Sequence, residues 1–140
     1  MVDDRTVSIK LEQIQQFYGE LCEQREDLSE EEFLDSTVRQ RAVERMFENA
    51  IQASTDLAQH VATQAFGYDD DSAKGAVKRL AREGVVDEET AATLVSAVGF
   101  RNVLAHEYGH VDPVEVYGLL QTELSVYEAY SQQITAWIRE

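Results

Sequence analysis

Cysteine is nearly absent from this chain. Cys22 stands alone among 140 residues, which excludes an internal disulfide and a cysteine-based zinc cluster. Proline occurs once and glycine seven times, too few for a collagen-like or linker-rich polymer. Basic charge is also scarce: twelve Lys and Arg, only three of them Lys, face 27 Asp and Glu for a net charge of −15. Such a balance argues against a protein that coats DNA and against an anionic membrane as partner. No apolar run approaches the ~20 residues of a spanning helix, and Met1-Val2-Asp3-Asp4 lacks the basic and apolar character of a signal segment. A soluble, cytoplasmic protein is expected.

What the chain does contain is enough apolar material, 44%, to build the core of a single domain over residues 1–140. Its acids are spread along the whole length instead of gathered in a tail, as on a halophilic surface. At molar salt the Debye length is ~3 Å, so this surface would repel a polyanion far less than in dilute buffer.

Apolar residues recur at three and four and nowhere alternate over a strand's length, so the pattern predicts an all-α bundle of about five helices. The first helix is expected from about Arg5 to Glu23, with Val7, Leu11, Ile14, Tyr18 and Leu21 on one stripe. Ser29 and Glu32 form a capping box, with Leu28 and Phe33 as the hydrophobic staple of a new segment that pauses near Asp35-Ser36. From Thr37 to Phe66 two apolar rows mark the central, most buried helix. A short helix follows the polar break Gly67-Tyr68-Asp69-Asp70-Asp71-Ser72 and closes at Gly84, and Asp87 caps another that should run out near Gly109. Asp112, Pro113 and Glu115, with a Val111 to Val116 staple, open a final helix predicted to continue through Tyr117, Leu124 and Ile138.

Two chemical signals fall in one stretch, Arg101-Asn102-Val103-Leu104-Ala105-His106-Glu107-Tyr108-Gly109-His110. The first is a literal HExxH from His106 to His110. A zinc protease needs that motif inside a helix, a third ligand and a strand edge for the peptide. Here Gly109 and Asp112-Pro113 end the helix within or just after the motif, no strand is expected, and Glu123 and Glu128, the conceivable third ligands, belong to a Glu-rich helix. The Glu107 to His110 pair also lacks the second Glu-x-x-His of a di-metal carboxylate bundle. The reading adopted is therefore metal-free. The second signal groups Arg101, Asn102, His106 and Tyr108 on neighbouring rows near a helix end. An imidazole can take a proton from a ribose 2′-hydroxyl or give one to a leaving oxygen, and a guanidinium can hold charge building on phosphate oxygens. One His cannot act efficiently as both base and acid, so a homodimer bringing two copies together would complete the site.

These residues, followed by Val111-Asp112 and Val116-Tyr117, with Arg41-Ala42-Val43-Glu44-Arg45 in the long helix, resemble the HepT-like (DUF86) branch of the HEPN superfamily. The resemblance implies a dimeric HEPN-type bundle and the toxin of a toxin-antitoxin system, a metal-independent endoribonuclease with no cofactor. It implies Arg101 and His106 as the catalytic pair, with Asn102 as a supporting polar contact. It further implies a minimal nucleotidyltransferase antitoxin of the MntA type that silences the toxin by adding AMP to Tyr108. The alternative is a non-catalytic HEPN dimer that binds a nucleotide or docks such a partner without cutting RNA.

Outside the motif, Lys74, Lys78 and Arg82 share one helical face in the one local basic run and are candidate RNA contacts, set against the simpler reading of a solvated face. His60 is expected at the surface and His110 beside the Asp112 turn.

Overall fold

Asp3 starts the chain's first helix in the computed structural model, which describes residues 2–106, 109 and 111–140. Its carboxylate accepts from the Arg5 backbone N–H at 3.0 Å and from the Thr6 hydroxyl at 3.1 Å. Helix α1 (Asp4–Asp27) then buries Val7, Ile14 and Leu21, spaced two turns apart, against the helix that fills the centre of the bundle. The Asp3 N–H also donates to His60 Nε2 at 3.1 Å, so the expected surface histidine is half-buried and ties the start of α1 to that central helix.

The capping box forms as expected at α2 (Glu30–Leu34): Glu32 N–H donates to Ser29 Oγ, and Ser29 N–H to Glu32 Oε1. Leu28 and Phe33 are both buried beside it. The pause at Asp35-Ser36 has no glycine or proline behind it. Buried Gln40 instead reaches back and donates to the Phe33 and Leu34 carbonyls at 3.0 and 3.1 Å, stabilising a helix end there. Helix α3 (Thr37–Phe66) follows, about 45 Å long at 1.5 Å per residue. It has α1, α4 and α5 packed around it. It ends at Gly67, whose φ of +67° is open to glycine without a Cβ penalty.

Helix α4 (Ala73–Arg82) buries Ala76, Val77 and Leu80 and leaves Lys74, Lys78 and Arg82 exposed. Asp87 caps α5 (Glu88–His106) through the Thr90 N–H at 2.7 Å and is held from the far side by Gln133 Nε2 at 2.9 Å. Asp112 caps α6 (Pro113–Thr122), with Pro113 at its first position, and α7 (Ser125–Ile138) completes the bundle.

Among the described residues there are thus seven helices, against the five segments expected. One addition is the short α2. The other comes from the division of the final helix at Glu123-Leu124. Leu120, Leu124, Val126 and Tyr127 are all buried. Leu124 and Val126 would lie on opposite sides of one straight helix, so the break lets both face the core. No described helix is long and apolar enough to cross a membrane.

Candidate active site

The site is built where the polar edge of α3 meets the last turns of α5. Packing sets the meeting point: Phe47 of α3 and Phe100 of α5 stand edge to face with centroids 5.6 Å apart, locking the residue before Arg101 against the central helix. Beside the motif, Leu104 is buried, which turns Arg101, Asn102, Ala105 and His106 outward together.

These four residues line one recess of about 320 Å³, whose other wall is Arg45, Glu48, Asn49 and Gln52 of α3. The structure therefore brings together the sequence-predicted Arg101, Asn102 and His106. Tyr108, with Glu107 and His110, lies outside the described residues. Lys74, Lys78 and Arg82 line no part of this recess. They lie along α4, which packs on both α3 and α5, and Lys74 Nζ extends to 3.7 Å from the place a Cβ on Gly99 of α5 would take.

Among the described residues Arg101 makes three side-chain hydrogen bonds, all to neutral acceptors. Nη1 donates to Gln52 Oε1 at 2.9 Å and to Thr55 Oγ1 at 3.3 Å, and Nη2 to Asn102 Oδ1 at 3.3 Å. Its orientation is fixed, and no carboxylate among the described residues bonds to it. On its far side lies a second recess of about 420 Å³ that shares Arg101 and Gln52 and carries Asp56, Asp69, Asp70 and Asp71. The guanidinium is the partition between a recess with His106 and an acidic one.

The α3 wall escaped sequence reasoning. Arg45, Asn49, Gln52 and Asp56 follow one another at four, three and four, a polar row along an otherwise buried helix that could have marked a second side of the site. Arg45 is largely exposed and reaches Glu48 Oε2 at 3.6 Å. One turn earlier Arg41 Nη1 bonds Glu44 Oε2 at 2.7 Å, and burial raises the Glu44 carboxyl above its usual range against that neighbour's pull.

Comparison with known proteins bears on the same elements. A family model described as Ribonuclease HepT-like matches residues 9–134. A relative from Aphanizomenon flos-aquae, the tRNA nuclease HepT, is 26% identical over 113 residues, covering 81% of this chain and 77% of the relative. Among solved structures, a tri-AMPylated Shewanella oneidensis HEPN toxin in complex with MNT antitoxin superposes with a TM-score of 0.86 at 22% identity, over 96% of this chain and 98% of that one. The cytosolic protein YutE of Bacillus subtilis, of unknown function, superposes at 0.78 with 20% identity, over 99% and 94% of the two chains. The two superpositions establish the HEPN helical fold. Because the family match runs from α1 into α7 and spans both walls of the recess, the chain belongs to the ribonuclease HepT-like family.

Proposed function

We propose that this protein is the toxin of a HEPN and minimal nucleotidyltransferase pair, a metal-independent endoribonuclease that works in the cytoplasm as a homodimer. The observation that carries the reading is the shared recess of Arg101, Asn102 and His106, in which Arg101 is oriented by neutral acceptors of the described residues. Phosphodiester cleavage needs little more. An imidazole takes the 2′-hydroxyl proton as the 2′ oxygen bonds to phosphorus, and the bond to the 5′ oxygen breaks. The departing oxygen receives a proton from the second protomer's copy of the same His, leaving a cyclic phosphate and a 5′-hydroxyl. Arg101 stabilises the charge on the non-bridging oxygens, and Asn102 holds Arg101.

Two relatives support the assignment of substrate and regulator. One is named a tRNA nuclease, which makes tRNA the first RNA to try. The Shewanella toxin carries AMP groups and sits with an MNT antitoxin, which favours silencing by adenylylation here, on Tyr108. Lys74, Lys78 and Arg82, exposed on α4, are the proposed phosphate contacts for RNA outside the cleavage recess.

The test is incubation of the purified protein with tRNA in concentrated KCl, with EDTA present and no metal added. Cleavage to cyclic-phosphate and 5′-hydroxyl ends, lost in His106→Ala and in Arg101→Ala, is expected, and light scattering should give about twice the chain mass. Cleavage that EDTA abolishes and zinc restores would return the HExxH reading. Intact tRNA with an active partner enzyme would favour the non-catalytic docking dimer.

A further inference from the structure

Arg101 is the outer end of a chain of contacts that crosses three helices. Gln52, which accepts from Arg101, donates its Nε2 to Asp56 Oδ1 at 2.8 Å. The other Asp56 oxygen accepts from Lys10 Nζ of α1 at 3.2 Å, and Lys10 is steadied by Gln13 Oε1 at 3.3 Å. A guanidinium only donates and a carboxylate only accepts, so the Gln52 amide has one satisfiable arrangement, oxygen toward Arg101 and nitrogen toward Asp56. Thr55 adds a second acceptor and gives its own hydroxyl proton to the backbone carbonyl of Gln52 at 3.1 Å.

The placement of charge gives this chain its meaning. Asp56 lines the acidic recess that Arg101 closes on one side. A carboxylate bonded directly to Arg101 would neutralise the guanidinium and compete with an RNA phosphate for the same nitrogens. Instead Asp56 is engaged by Lys10 and by the Gln52 amide, and only the neutral end of Gln52 meets Arg101. The Lys10 and Asp56 side chains are 25% and 40% exposed, so solvent weakens their attraction and the pair acts chiefly by geometry.

We propose that Gln52 is a positioning residue for Arg101, with Lys10 and Asp56 fixing its amide and Gln52 standing between the Asp56 carboxylate and the guanidinium. The inference rests on Arg101 serving the cleavage reaction as argued above. Single-turnover cleavage of tRNA in concentrated KCl reads it. Gln52→Met keeps the side-chain length and removes both hydrogen bonds, and should slow cleavage about 10-fold to 100-fold, the scale of a misplaced charge-stabilising group. Gln52 is exposed, so the unfolding midpoint should stay at the wild-type value. Asp56→Asn no longer fixes which way the Gln52 amide faces and should cost about 3-fold to 10-fold.

The decisive arm is a double-mutant cycle. A lysine at position 101 lacks the two-pronged fork that Gln52 and Asn102 share, so in the Arg101→Lys background Gln52→Met should cost about 2-fold or less. A Gln52→Met protein that cleaves at the wild-type rate overturns the proposal, as does an equal loss in both backgrounds, which would mark general damage. If Arg101→Lys and His106→Ala themselves cleave at the wild-type rate, the catalytic reading fails instead, and the two failures are separate.

Discussion

Tyr130 of α7 donates its hydroxyl hydrogen to the Ser54 carbonyl of α3 at 2.8 Å, a bond buried in the centre of the bundle. Ser54 at the same point donates its own hydroxyl to the Ala50 carbonyl at 2.8 Å, so α3 is held one residue before Thr55, a contact of Arg101. Burial pushes the Tyr130 phenol far above its usual pKa, which keeps the proton on the oxygen at any assay pH. Tyr130→Phe retains the ring and loses the bond. It should lower unfolding free energy by about 1 to 1.5 kcal/mol in a denaturant titration. Cleavage by the folded fraction should change little, because Arg101 keeps all three of its acceptors.

A pH-dependent contribution to stability lies at the start of α5. Asp87 accepts from the Thr90 backbone N–H, and this bond, with smaller help from the Thr90 hydroxyl and Gln133, holds its carboxyl below the ordinary 3.8. A group with a lowered folded pKa stabilises fully above its unfolded value and loses that contribution as pH falls through the folded one. Thermal melts of wild type and Asp87→Ala should therefore differ most at neutral pH, with the gap closing as pH drops below about 4. A gap of constant size down to acid would mean that the cap acts through its shape and not its charge.

Lys74, Lys78 and Arg82 make a prediction in salt. If each neutralises one phosphate, replacing all three by Ala removes about three released counterions. The slope of log affinity for tRNA against log salt should become shallower by about 2. Affinity should fall most in dilute buffer. An unchanged slope would leave the three as a solvated helix face.

Legibility of the sequence followed the range of the interactions involved. Ser29, Asp87 and Asp112 act on backbone groups two or three residues away, so their caps could be read from spacing alone and stand where expected. Arg101, Asn102 and His106 share a helix, and their common recess followed from helical periodicity. What escaped depended on partners far along the chain. The contacts of Arg101 with Gln52 and Thr55 span 49 and 46 residues, and no local pattern selects those two among the polar residues of α3. The division of the last helix was hidden for a related reason, since no breaker residue marks Glu123-Leu124 and only the burial of Leu124 and Val126 together requires it.

Regulation is the remaining prediction, and it concerns Tyr108. Helix α5 is described as far as His106, whose side chain is exposed in the recess with Arg101, and Tyr108 follows two residues later in the sequence. AMP on that phenol would offer a phosphate to a guanidinium whose acceptors among the described residues are all neutral. Such a tethered anion competes at high effective concentration with the RNA phosphate for Arg101, and its bulk blocks the same recess. Incubation with ATP and the partner nucleotidyltransferase should therefore add one or more AMP units by intact mass and abolish tRNA cleavage, and Tyr108→Phe should prevent both. Adding an AMP phosphodiesterase should restore cleavage as the mass returns. A Phe variant that is still adenylylated and silenced would move the switch to another residue. Full inhibition without any mass change would make protein docking the mechanism.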